Sequence, residues 1–152
     1  MKTVFDKTVR DELLNRVQQL HGNSKAQWGK MDVVQMARHC NKWNSWVLGK
    51  GNYRNHVYKQ DLLGKIFGQM ALRSNTKNEK PMGKNMPAGA FVIKQTGGNL
   101  ETEKAQWAQL VGEYAHYAND RFVHDFFGKM SKEQIGIFAY KHLDHHLRQF
   151  GA

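Results

Sequence analysis

The chain is short of cysteine, proline and acid. Cys40 is its only cysteine, so no intrachain disulfide can form, and a single thiol suits a reducing compartment such as the cytoplasm. The two prolines, Pro81 and Pro87, fall in one stretch, which leaves the sequence on either side free of the strongest helix breaker. No apolar run approaches the roughly 20 residues that a membrane-crossing helix needs. The opening Met1-Lys2-Thr3-Val4-Phe5-Asp6 leads straight into charge, without the apolar stretch of a signal peptide. Together these absences predict a soluble protein with no membrane partner. What is present suits a packed globule. The 152 residues are 40% hydrophobic, with four Trp and eight Phe, and the length fits one domain over 1–152.

The scarcity of acid leaves a formal net charge of +10. Most of it is local. Between Lys50 and Lys94 nine Lys and Arg face only Asp61 and Glu79, an excess of +7. Such a segment suits a basic loop face beside an anionic ligand, a footprint for nucleic acid, or plain solubility. No nucleic-acid-binding signature accompanies it, so a small-molecule partner is preferred to nucleic acid.

Helical periodicity dominates the rest. Val9, Leu13, Leu14, Val17 and Leu20 form one stripe over 6–20, which stops at the turn-rich His21-Gly22-Asn23-Ser24. Asp32 with Gln35 three residues on is a capping-box signature opening a helix over 32–48, closed by Gly49-Lys50-Gly51. Asn99 caps a third long helix over 100–119, and Ser131 with Gln134 opens a fourth that runs to Phe150. A short extra helix is predicted over 60–72. The proline- and glycine-bearing stretch after it contains one strand-like piece, 90–93, too isolated to build a sheet. The fold class is therefore all-α, a four-helix bundle with a long crossover between its second and third helices. The shorter connections predict hairpin-like pairing of the first helix with the second and of the third with the fourth.

Three histidines crowd the last helix. His142 and His146 stand at i and i+4, on one face and within reach of one ion, while the side chain of His145 is rotated about 100° from that of His146. A stable site wants a third protein ligand. His39, at helical spacing from Gln35, Met36, Trp43 and Trp46, is the best candidate. Alone it would be an ordinary core histidine. Three converging imidazoles would each need burial and a partner, and a divalent metal resolves all three at once. His145, His124, Asp144 and Arg148 are candidates for the surrounding pocket. His21, His56 and His116 read as solvated, and Cys40 as a small core residue turned away from His39. His142-Leu143-Asp144-His145-His146 is not the zinc-protease motif, since Leu143 stands where the general-base Glu belongs.

"WGKMDVVQMARHC" around His39, "LLGKIFGQMALRSNTKNEKPMGKNMP" in the middle and "FGKMSKEQIGIFAYKHLDHHLRQFG" at the end resemble an uncharacterised, bacterial-type group of the DinB-like superfamily of metal-binding four-helix bundles. The resemblance covers nearly the whole chain. It implies a divalent metal (zinc, nickel or iron) held by His39 from the second helix and by His142 and His146 from the last. It implies that the neighbouring His145 is not a ligand. Many relatives carry a small residue where this chain has Arg148, which alters the pocket. Some relatives are transferases that use low-molecular-weight thiols. The resemblance thus implies a metal-dependent S-transferase or hydrolase acting on an anionic or electrophilic small molecule, with no catalytic side chain assigned. Arg73, Lys80 and Lys84 are candidates to receive its carboxylates. The alternative is a non-catalytic helical binding protein whose basic face meets an anionic partner. A helix that leaves an apolar face exposed would predict a homodimer.

Overall fold

Capping and periodicity set the helices of the computed structural model, which describes residues 1–87 and 89–152. Among the described residues there are five: α1 Lys7–Gln18, α2 Val33–Leu48, α3 Leu62–Thr76, α4 Leu100–Glu113 and α5 Lys132–Gln149. The architecture is all-helical, with no strand among the described residues, and none of these helices is long and apolar enough to cross a membrane. Both predicted capping boxes are present. The Asp32 carboxylate accepts from the Gln35 amide while the Gln35 side chain accepts from the Asp32 amide, and Ser131 and Gln134 do the same for α5. Gly49 closes α2 in the left-handed conformation at φ 65°, where a side chain would be strained.

Two elements differ from the sequence reading. The third long helix ends at Glu113, and Tyr114–His116 continues as a single 3₁₀ turn. Tyr114 still belongs to the apolar stripe, but its hydroxyl donates to the Asn44 side chain of α2 inside the core, and the tighter turn accompanies that anchoring. The strand-like 90–93 piece overlaps the 3₁₀ turn Gly89–Phe91. Its carbonyls are occupied by side chains of α2 rather than by a neighbouring strand: Lys42 donates to Ala90, and Gln35 to Ile93. Without a partner ladder, β-propensity has nothing to pair with.

One cluster of buried apolar residues runs through all five helices, with Leu13, Met36, Leu72, Trp107, Leu143 and Leu147 fully enclosed. Consecutive helices are not the close neighbours that hairpins would make. α1 packs on α4 and α5, and α2 packs on the same two. The connections 19–32 and 114–131 are long enough to carry the chain across rather than back along the preceding helix. This arrangement sets α2 beside α5 and brings residues about a hundred positions apart into contact. α3 lies outside the other four and reaches α5. It also grips the turn at 124–128, where Gln69 donates to the Phe127 carbonyl and Gln60, just before the helix, to the Phe126 carbonyl.

Candidate metal centre

α2 presents His39 from its buried face, one turn before Trp43, and α5 presents His142 and His146 from adjacent turns. All three imidazoles are buried, and one ring nitrogen from each lies within 4.8 Å of the others. His39 Nε2 and His142 Nε2 are 3.1 Å apart. This is the distance of an N–H···N bond between the rings, and it is close to the roughly 3.3–3.4 Å that separates two nitrogens on a tetrahedral ion with bonds of about 2.0–2.1 Å.

The other ring nitrogens decide how these are protonated. His39 Nδ1 is 2.9 Å from the Phe91 carbonyl, which can only accept, so the proton sits on Nδ1 and Nε2 carries a lone pair. His146 Nδ1 is 2.8 Å from Gln149 Oε1, and the same amide donates through Nε2 to the Trp28 carbonyl. That second bond fixes the amide orientation, so His146 Nδ1 donates and its Nε2 is free. Gly29, at φ 83°, lets the loop approach Gln149 so closely that any β-carbon there would collide with the amide. His142 stacks on Trp43, with ring centroids 4.1 Å apart and planes 24° from parallel. Its Nδ1 is buried without a hydrogen-bond partner among the described residues. An orphaned nitrogen of that kind is costly in a finished core.

Burial holds all three rings neutral. Desolvation, reinforced by its histidine neighbours, puts His142 well below the ordinary histidine range. Desolvation and then His39 lower His146 to about 3, and desolvation lowers His39 despite its bond to Phe91. Three uncharged imidazoles, with the lone pairs of His39 and His146 on their Nε2 atoms, are close to the state a divalent cation requires of its ligands; an ion would take the place of the proton shared between His39 and His142. Two of them also carry the carbonyl or amide partners that orient histidines in metal sites. The donor set fits zinc, nickel or iron.

The surrounding candidates separate. His145 is buried against Trp28 and His146, with ring centroids 5.5 and 5.0 Å away, and lines a cleft of about 400 Å³. Trp28, Met82, Lys84 and Arg148 share that cleft, and the Lys84 ammonium lies 4.5 Å over the Trp28 ring. Of the three basic residues expected to meet a ligand, only Lys84 lines it; Arg73 and Lys80 do not. Asp144 is buried in ion pairs, 2.8 Å from Arg16 of α1 and 2.7 Å from Arg148. It ties α1 to α5. His124 organises a turn instead of a mouth: its Nδ1 accepts from the amides of Phe126 and Phe127. His21, His56 and His116 are exposed, and Cys40 is buried beside Met36.

Sequence reasoning missed the supports. Gln149 could have been found, since it stands one turn beyond His146. The Phe91 carbonyl could not, because a backbone acceptor leaves no mark in the sequence.

No curated protein and no solved structure matches the chain. A family description does, over residues 3–152, and it is that of a protein of unknown function. With its histidine trio included in the match, the chain belongs to the DUF1569 family.

Proposed function

We propose that this protein is a divalent-metal enzyme of the DinB-like four-helix-bundle type, in which His39, His142 and His146 hold the ion. The observation that carries the reading is the convergence of three neutral, buried imidazoles from two helices, two of them oriented through their outer nitrogens. Bound there, a divalent cation supplies Lewis acidity and lowers the pKa of a water or thiol ligand toward neutrality.

The chain's own residues do the rest. The Phe91 carbonyl and Gln149 hold two rings in one tautomer, and Trp43 shields a third from water. The cleft beside His145 admits a small molecule. Lys84 and Arg148 on its rim favour an anionic one, such as the carboxylate of a low-molecular-weight thiol or of its electrophilic acceptor. S-transfer is the preferred reaction and hydrolysis the second.

The test is elemental analysis of protein purified without a histidine tag. One divalent ion per chain is expected, falling to none in His39→Ala and His142→Ala. Unchanged stoichiometry in both variants would remove the site. A screen of low-molecular-weight thiols against electrophilic acceptors then separates transferase from scaffold, since a scaffold binds metal and turns over nothing.

A further inference from the structure

Helix α3 is apolar on two opposite sides. Gly64, Gly68, Leu72 and Thr76 face the protein and are buried. Leu62, Leu63, Ile66, Phe67 and Met70 point the other way, and each is between 49% and 74% exposed. At 100° per residue these five form one continuous stripe along more than two turns. Together they leave roughly 600 Å² of apolar surface uncovered, the upper limit for a monomer and close to the apolar share of the ~800 Å² that each partner buries in a standard interface. A helix that is apolar all round belongs in an interior.

We propose that this face is covered by α3 of a second copy of the chain, packed antiparallel about a two-fold axis near Ile66. The charge at its C-terminal end selects that arrangement. Arg73 lies at the end of the stripe, whereas Asp61, the N-cap, is bonded to the Gly64 amide on the buried side. An antiparallel pair keeps the two Arg73 side chains roughly 20 Å apart, beyond the screening length at physiological salt. A parallel pair would set arginine on arginine. Lys65 flanks the stripe, where its long side chain can turn to solvent. An anionic membrane surface is the other occupant that apolar and basic residues suggest. The size of the stripe favours a second copy, since it matches the apolar share of one partner's half of a standard interface. The interface is isologous, so it closes at two copies. It stands independently of the metal site.

The test is sedimentation equilibrium of the full chain over a wide concentration range. The expected mass is twice 17.6 kDa. Ile66→Glu is expected to weaken association about a hundredfold or more, as a buried unpaired charge would. Its melting curve should still show a folded protein, because residue 66 lies on the outside of the subunit. Val92→Glu, at an exposed apolar position outside α3, should leave the mass unchanged. Mild oxidation should link Ile66→Cys across the axis but not Leu62→Cys, whose copies would be about 12 Å apart, too far for a disulfide. A single-chain mass at every concentration overturns the proposal, as does a dimer indifferent to Ile66→Glu. So does binding of monomers to phosphatidylglycerol vesicles that Ile66→Glu abolishes. Ready linkage of Leu62→Cys with none at Ile66→Cys overturns the antiparallel geometry.

Discussion

Gln149 sits three residues beyond His146, and its amide works in two directions, accepting from the His146 ring and donating to the Trp28 carbonyl. The first bond holds His146 with Nε2 free; the second holds the amide. Gln149→Leu keeps the bulk and removes both. Outer-sphere partners of metal-binding histidines are worth about 10- to 100-fold in affinity, so the variant should bind zinc more weakly by that factor, measured by competition with a chromophoric chelator. Its far-ultraviolet spectrum should not change. Asp144→Asn acts on another property. It strips Arg16 and Arg148 of their common carboxylate, and Arg16 is the more enclosed of the two. We expect a loss of about 2 kcal/mol in urea unfolding, below the full cost of opening a deeply buried pair because Arg148 is exposed. Its metal stoichiometry should be that of the parent. At this scale the buried histidine trio was legible in the sequence and its supports only partly so. The i, i+4 pair and His39 on an inward stripe are pattern. The carbonyl of Phe91 comes from a loop whose path follows from α2 side chains reaching over to it. Asp144 misleads in sequence because it stands between histidines, yet it turns to α1.

Among the elements, α2 and α5 follow their apolar stripes and capping boxes closely, since these caps are local chemistry that tertiary packing did not override, and α1 follows its stripe without a side-chain cap. α4 stops early, and the neighbour relations of the helices differ from hairpins, because both depend on which core surfaces meet. Periodicity says which face is buried but not against what. α3 gives the sharpest test of that difference. Propensity alone says that Ala for Gly in a helix interior stabilises by about 1 kcal/mol. Gly112 in α4 has open space where a β-carbon would go, so Gly112→Ala should stabilise by about 0.5–1 kcal/mol. At Gly64 and Gly68 the β-carbon would run into the Phe126 carbonyl, a backbone group that cannot step aside. Gly64→Ala should therefore destabilise by about 1–3 kcal/mol, as overpacking does. Thermal melts of the two variants side by side check the opposite signs. If both stabilise, α3 does not rest against the 124–128 turn.

For the molecule as a whole, the three buried histidines tie stability to acid and, on the proposed reading, to metal. A site present only in the folded chain stabilises it by mass action, so added zinc should raise the melting temperature and a strong chelator should lower it again. The metal-free protein then exposes the acid response. In the unfolded chain each histidine takes a proton near pH 6.5. In the folded chain His146 resists protonation down to about 3, and His142 and His39 are shifted in the same direction, because burial disfavours the charged ring. Between those limits the unfolded state binds more protons than the folded one. Stability therefore falls as pH drops below about 6.5, with a slope of up to about 1.4 kcal/mol per pH unit for each histidine that stays neutral. Above pH 7 both states are neutral at these sites and the contribution is flat. Urea unfolding of chelator-treated protein at a series of pH values from 7 to 4 should show that slope, and it should shrink in His146→Gln, which has nothing to protonate there. A profile equally steep in both proteins would mean that the ring of His146 is not held neutral in the interior, and the inward-facing lone pair on which metal binding depends would go with it.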